Sequence, residues 1–133
     1  MLLASGSTTS ATMRILVADQ SRTMRNIARA VLAQLGYYDV DEAADANEAV
    51  SRACFADFDL CIFDHSMRGR DGTPLSRALE QAGSRARQIV LSTADNPSTE
   101  AEASHSLRKP FAPEALRRCI DAVVASQPTL RAA

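Results

Sequence analysis

The sequence predicts an α/β domain with a parallel sheet that is covered by helices on both faces. Two observations support this prediction: strand-like and helix-like segments alternate five times along the chain, and the central strands are almost continuously apolar. Strands that are buried on both faces lack the polar–apolar alternation of a half-exposed sheet. With 133 residues, 46% of them hydrophobic, the chain is long enough to bury a core without disulfides or metals.

Five segments are predicted to be strands, of which the second is weak and the fifth is short. They cover residues 14–19, 39–43, 60–64, 88–93 and 106–108. Helices are predicted between them, because apolar residues recur there at helical spacing. Capping residues mark three of the helix starts: Ser21, Asp45 with Glu48 in a capping-box pattern, and Thr73 before Pro74. The fourth helix is predicted to be shortened to about two turns after residues 96–97, and Pro113 starts the last helix.

Composition and charge exclude several classes of protein. The net charge of −1 offers no electrostatic attraction for nucleic acid or for an anionic membrane, and no apolar run is long enough to cross a bilayer. Three cysteines, Cys54, Cys61 and Cys119, lie in apolar segments without CxxC spacing, so we expect buried free thiols in a reducing compartment. These features predict a cytoplasmic protein, and we expect it to be a monomer.

The chain is predicted to contain one domain, which covers residues 13–126. Residues 1–12 are small and polar and lack the basic start and long apolar stretch of a signal peptide, so we expect a disordered leader. Residues 127–133 are expected to form a C-terminal tail.

Polar side chains stand where the predicted strands end. Asp19 ends the first strand, Asp64 the third, Thr93 the fourth, and Lys109, the single lysine in the chain, follows the fifth. Ligands of open parallel sheets bind beyond the carboxyl ends of the strands, so we expect these four side chains to converge. Carboxylates there suit Mg²⁺, and a hydroxyl and an ammonium could hold the oxygens of a phosphoryl group.

Each of these residues also has an ordinary structural interpretation. Alone, Asp64 would be a turn-capping acid, Thr93 a strand residue with a satisfied hydroxyl, and Lys109 a surface charge. His65 lies beside Asp64, but His65 and His105 have no ligand spacing that would indicate zinc. The combination of four residues at four strand ends therefore favours function more than any one of them does.

The order of these motifs resembles the receiver domain of two-component response regulators. The resemblance rests on Asp19, Asp64, Thr93-Ala94 and Lys109-Pro110-Phe111, and it covers residues 13–126. It implies a flavodoxin-like, doubly wound (βα)5 fold with strand order 2-1-3-4-5. Residues 17–25 are especially similar to those of stand-alone, chemotaxis-type receivers.

The resemblance also implies a role for each site residue. Asp64 would be the phosphoacceptor, Thr93 would hydrogen-bond the phosphoryl group, and Lys109 would pair with Asp64 and then with a phosphoryl oxygen. Asp19 matches the first acid of the metal-binding pair. Asp64 and the backbone carbonyl of Ser66 would be further ligands of Mg²⁺. In this family the lysine–proline peptide is cis.

Three positions depart from the family pattern. Gln20 occupies the place of the second metal-binding acid, which makes it a doubtful ligand and predicts a Mg²⁺ affinity weakened by about tenfold. Ser106 stands where signalling receivers usually carry an aromatic residue, and Arg68 replaces a common proline. Ser106 and the shortened fourth helix lie on the surface that receivers usually present to their partners, so they predict an altered output surface.

The function implied is that of a single-domain response regulator. It would accept a phosphoryl group on Asp64 from a sensor histidine kinase or phosphotransfer protein, switch its affinity for a downstream protein, and turn over no substrate of its own. One alternative is a degenerate receiver, regulated without phosphorylation by a protein or by a small anionic ligand. The arginines that could bind such a ligand are at positions 68, 70, 85 and 87. A second alternative, a small hydrolase- or phosphatase-like enzyme, lacks a nucleophile–base pair in the sequence.

Overall fold

A computed structural model describes residues 13–93 and 105–125, which form five strands and four helices. The strands are β1 (Ile15–Ala18), β2 (Val40–Ala43), β3 (Leu60–Asp64), β4 (Arg87–Ser92) and β5 (His105–Arg108). The helices are α1 (Arg22–Gln34), α2 (Ala46–Phe55), α3 (Leu75–Gln81) and α4 (Pro113–Ala125). The predicted leader, the C-terminal tail and the short helix after residues 96–97 all lie outside the described residues.

The five strands form one sheet in the order β2-β1-β3-β4-β5, and every neighbouring pair is parallel. The predicted fold class and strand order are therefore confirmed. The register pairs Ala18 with Phe63, Asp64 with Leu91, and Ser92 with Arg108. This register brings the carboxyl ends of β1, β3, β4 and β5 to the same edge of the sheet, so the residues that follow these strands are neighbours.

Side chains of the sheet divide between two cores because successive residues of a strand point to opposite faces. Ile15 and Val17 of β1 pack with residues of α1 and α4, whereas Leu16 and Ala18 pack with residues of α2 and α3. All four are almost completely buried. Burial on both faces explains the continuous apolar strands in the sequence. Within the described part of the chain, every helix is too short or too polar to cross a membrane.

Two of the predicted helix caps are present. The Ser21 hydroxyl accepts a hydrogen bond from the backbone N–H of Met24 at 3.2 Å, and the Asp45 carboxylate accepts one from the N–H of Glu48 at 2.7 Å. The Glu48 carboxylate reaches back to the N–H of Ala44 at 2.8 Å, one residue before the position expected for a capping box. Local sequence patterns therefore set the starts of α1 and α2.

The prediction that Thr73 caps α3 is wrong. This helix begins at Leu75, and Pro74 before it is extended, with φ −58° and ψ 145°. The N–H and hydroxyl of Thr73 instead bond the carboxylate of Asp71, and its carbonyl accepts from the N–H of Gly69 at 2.9 Å. The loop after β3 thus closes on itself and holds Thr73 outside the helix.

The expectation of three buried thiols holds fully for Cys61 alone. Burial raises the pKa of its thiol to about 12. Cys119 is half-buried, and the prediction for Cys54 is wrong because this residue is exposed. Cys54 lies five positions after buried Ala49 on α2, roughly 140° around the helix, and therefore faces away from the sheet.

Burial on α1 predicts a contrast between two substitutions on the same helix. Leu32 is 0% exposed and Ile27 is 43% exposed. We expect Leu32→Ala to lower the free energy of unfolding by about 3 kcal/mol, because it opens a cavity in the core. Ile27→Ala should lower it by less than about 1 kcal/mol. Urea denaturation followed by circular dichroism measures both losses, and equal losses would contradict the assigned core.

Candidate functional site

One ammonium group joins two carboxylates at the carboxyl edge of the sheet. Lys109 Nζ donates hydrogen bonds to Asp64 Oδ1 at 2.7 Å and to Asp19 Oδ2 at 3.0 Å, across sequence separations of 45 and 90 residues. The three side chains are between 6% and 15% exposed. Two carboxylates this close repel each other, and the shared cation offsets that repulsion. The structure thus brings together three of the four residues that the sequence singled out.

Asp64 is held through both of its oxygens. Oδ1 accepts from Lys109, while Oδ2 accepts from the backbone N–H of Ser66 at 3.0 Å and from the Ser66 hydroxyl. Burial disfavours the charged form, but the hydrogen bonds from Lys109 and Ser66 outweigh it, and the pKa of Asp64 is lowered. Asp64 is therefore an ionised carboxylate at neutral pH.

The Ser66 hydroxyl is a contact that the sequence reasoning missed, because only the backbone carbonyl of Ser66 had been considered. Serine two residues after an acid can bond locally to it in a turn, so the Asp-His-Ser pattern of residues 64–66 carried a usable signal. The side chain at position 66 therefore affects the charge state of Asp64.

Asp19 is buried, with 4% exposure, and both of its carboxylate oxygens have partners. Oδ1 accepts from the backbone N–H of Ser21 at 2.9 Å, and Oδ2 accepts from Lys109. The first bond belongs to the turn between β1 and α1, where Ser21 also caps the helix. The orientation of this carboxylate is therefore set by the turn on one side and by the lysine on the other.

Lys109 is fixed at its backbone as well as at its ammonium. Its N–H donates to the carbonyl of Ser92 at 2.7 Å, which continues the β4–β5 pairing beyond the last residue of β5. The Lys109–Pro110 peptide is cis, the isomer implied by the sequence resemblance. Burial disfavours the ammonium, but the hydrogen bonds to Asp64 and Asp19 outweigh this effect and raise the pKa of Lys109.

Thr93 and Gln20 stand beside this cluster. Thr93 directly follows Ser92, whose carbonyl binds the Lys109 N–H, so its backbone lies at the same edge, and the residue is half-buried. Gln20 follows Asp19 and is exposed. In residues 13–93 and 105–125, no group of three or more acidic, histidine or cysteine side chains is placed to hold a metal. The edge therefore offers two carboxylates, Asp19 and Asp64, as anionic ligands.

Comparison with known proteins identifies the family. A family model described as the response regulator receiver domain matches residues 15–121. The chain belongs to the receiver domains of response regulators. This receiver is 31% identical over 121 residues to the chemotaxis protein CheY1 of Helicobacter pylori, an alignment that covers 84% of the chain and 97% of that protein. The match supports a chemotaxis-type receiver of two-component signalling.

Other relatives agree with this assignment. The receiver is 30% identical over 106 residues to the transcriptional regulatory protein ResD of Bacillus subtilis, covering 75% of the chain and 43% of ResD. It superposes on the solved structure of the Vibrio cholerae chemotaxis protein CheY4 with a TM-score of 0.70 and 29% identity, covering 84% of this chain and 98% of that one. Receivers in general bind Mg²⁺ at an acidic pocket and act with histidine kinases or phosphotransfer proteins and with downstream targets.

The shared lysine predicts a pH-dependent loss of stability in Lys109→Met. This substitution leaves two largely buried carboxylates without a cation, and we expect the free energy of unfolding at pH 7 to fall by about 3 kcal/mol. The lowered pKa of Asp64 stabilises the fold above the ordinary carboxyl pKa, and this contribution disappears as pH falls through the lowered value. The difference between variant and wild type should therefore shrink at about pH 3.

Urea denaturation at both pH values measures this difference. Arg52→Met is the matched control, because Arg52 pairs with Glu48 at 3.1 Å on the exposed surface of α2. Its removal should cost less than about 1 kcal/mol at either pH. A loss for Lys109→Met that does not change with pH would contradict the coupling of Lys109 to the carboxylates.

Proposed function

We propose that this receiver accepts a phosphoryl group on Asp64 from a sensor histidine kinase or phosphotransfer protein and then changes its affinity for a downstream protein. The observation that supports this most directly is the Lys109 ammonium shared between Asp64 and Asp19 at the carboxyl edge of the sheet. In this proposal the domain modifies itself, turns over no external substrate, and works in the cytoplasm as a monomer that does not bind nucleic acid and does not insert into a membrane.

The proposed reaction is nucleophilic transfer to the Asp64 carboxylate. An oxygen of Asp64 forms a bond to phosphorus while the bond from phosphorus to the donor histidine nitrogen breaks, and that nitrogen keeps the electron pair. Lys109 stays within hydrogen-bonding reach of the reacting carboxylate and neutralises charge that develops on the phosphoryl oxygens. The hydroxyl of Thr93, whose backbone lies at the same edge, is proposed to bond another of these oxygens.

The residues at this edge fit Mg²⁺. Asp19 and Asp64 already direct one oxygen each at a common cation, the Lys109 ammonium, and Mg²⁺ is typically bound by one or two carboxylates with waters and phosphate oxygens. We propose Asp19, Asp64 and the backbone carbonyl of Ser66 as its ligands. Gln20 could add a neutral amide oxygen. Bound Mg²⁺ would neutralise negative charge on the phosphoryl oxygens.

The degenerate receiver is a second candidate function. It is favoured by Gln20, which replaces an acid in the pocket, and by the engagement of both Asp64 oxygens with Lys109 and Ser66. In such a receiver the acidic pocket would stabilise the fold, and regulation would come from a bound protein or small anion. The two candidates differ in whether Asp64 can be modified.

A phosphoryl mimic separates the two candidates. We expect Mg²⁺ with beryllofluoride to shift the backbone amide NMR signals near Asp64, Thr93 and Lys109, because the mimic bonds to Asp64 and recruits the lysine and the threonine. Asp64→Asn is the control and should show no such shifts, since its amide is not a nucleophile. An unchanged wild-type spectrum at millimolar Mg²⁺ would favour the degenerate receiver.

Restoring the acid at position 20 tests the proposed metal site. We expect Gln20→Asp to tighten Mg²⁺ binding by about tenfold, because it adds a full negative charge beside Asp19. Gln34→Asp adds the same charge at the exposed end of α1, about 20 Å along this helix from the turn that carries Gln20, and should leave the affinity nearly unchanged. Isothermal titration calorimetry measures both. Equal affinities for the two variants would contradict a metal role for position 20.

A further inference from the structure

The side chain of Arg25 reaches from α1 to the turn that carries Asp19 and Gln20. Its Nη1 donates to the carbonyl of Asp19 at 2.6 Å and lies 3.4 Å from the carbonyl of Gln20. Its Nε donates to Glu42 Oε1 at 3.0 Å. The side chain is only 13% exposed. Arg25 thus connects the pocket turn to strand β2, although no hydrogen bond joins it to the carboxylate of Asp19 or Asp64.

A guanidinium is suited to this position because its donors form a rigid planar fork. Nη1 faces the carbonyls of Asp19 and Gln20 in the turn, and Nε donates to the carboxylate of Glu42 on β2. A lysine could carry the same charge but would offer a single flexible centre. These hydrogen bonds therefore require the planar shape of the arginine side chain as well as its positive charge.

Glu42 anchors the far side of this connection. Its second oxygen accepts from Arg29 Nε at 2.9 Å, and Arg29 Nη2 donates to the carbonyl of Val40 at 2.7 Å. Burial raises the pKa of Glu42, but the hydrogen bonds from the two arginines outweigh this effect and lower the pKa. This carboxylate is therefore ionised at neutral pH. Arg29 shares the partner of Arg25 but binds β2, and it has no hydrogen bond with the described residues of the pocket turn.

We propose that Arg25 is a positioning residue of the acidic pocket: by holding the carbonyls of Asp19 and Gln20, it fixes the turn that aims the Asp19 carboxylate at Lys109 and at a bound cation. The Asp19 carboxylate also accepts hydrogen bonds from the Ser21 N–H, within the same turn, and from Lys109, and the Asp19 N–H donates to the carbonyl of Ala43. Movement of this turn would displace the Asp19 carboxylate relative to Lys109 and weaken the hydrogen bond between them. The part of this proposal that concerns Mg²⁺ rests on the proposed function.

A positioning role and a pure charge effect of Arg25 predict opposite changes in Mg²⁺ affinity when the side chain is removed. If the guanidinium acted only as a nearby positive charge, its removal would strengthen cation binding, and Arg25→Lys would change nothing. If it fixes the turn, both Arg25→Ala and Arg25→Lys weaken binding, by about tenfold, as for other residues that orient metal ligands. Arg29→Ala should stay within about twofold of the wild type.

A metal-free measurement tests the positioning directly. Lys109 is the single lysine of the chain, so the side-chain ammonium region of a ¹⁵N NMR spectrum contains one lysine signal. We expect Arg25→Ala to shift this signal or to lose it through faster hydrogen exchange, because Asp19 no longer holds the ammonium. Arg29→Ala, which also keeps a single lysine, should retain the wild-type signal. An unchanged signal in Arg25→Ala, or equal changes in both variants, would overturn the proposal.

Calorimetry with Mg²⁺ then supplies the second result. Tighter binding by Arg25→Ala, or wild-type affinity for Arg25→Lys, would overturn the positioning role in favour of a charge effect. If the wild type itself bound no Mg²⁺ and gave no response to beryllofluoride, the proposed function would fail. The Lys109 signal would still decide the role of Arg25, so the two failures are distinguishable.

Discussion

The contact on which the pocket depends is the pair of hydrogen bonds from the Lys109 ammonium to Asp19 and Asp64. Two largely buried carboxylates at one edge of a sheet repel each other and lose hydration. A single cation between them offsets both costs. The three residues come from the ends of three different strands, so this contact exists only when the sheet has its observed order, and it ties the chemistry of the site to the completed fold.

Lysine is suited to this contact for a geometric reason. Lys109 follows β5 at the edge of the sheet, whereas Asp64 ends β3 and Asp19 follows β1, and β4 lies between β5 and β3. Neighbouring strands are about 4.8 Å apart, so the ammonium must extend across β4 on a long stem to reach the carboxylates. A compact ammonium on a flexible chain can meet two carboxylate oxygens from different directions, whereas a planar guanidinium is better matched to a single carboxylate.

The same hydrogen bonds that stabilise the pocket also restrain its chemistry. Both oxygens of Asp64 are engaged, one with Lys109 and one with Ser66, so any reaction at Asp64 must exchange one of these bonds for a new one. Gln20 leaves the pocket with two carboxylates and one ammonium, which lowers its attraction for a cation. Arg25 does not change this balance of carboxylates and ammonium but holds the backbone that carries Asp19. Charge and backbone position are therefore controlled by different residues.

The sequence by itself determined the fold class, the strand order, the bounds of β3 and the caps at Ser21 and Asp45, together with the residues that meet at the sheet edge. The fold class, the bounds of β3 and the caps follow from periodicity and capping, which depend on near neighbours in the chain, whereas the strand order was implied by the resemblance of the motifs to a receiver domain. The hydroxyl contact of Ser66, the exposure of Cys54 and the displacement of Thr73 carry local signals, in two-residue turns and helical periodicity, that the predictions did not use. Only the tertiary structure decided the reach of Arg25 from α1 to the pocket turn and to Glu42 of β2, because these bonds join separate elements and no local pattern specifies how those elements pack.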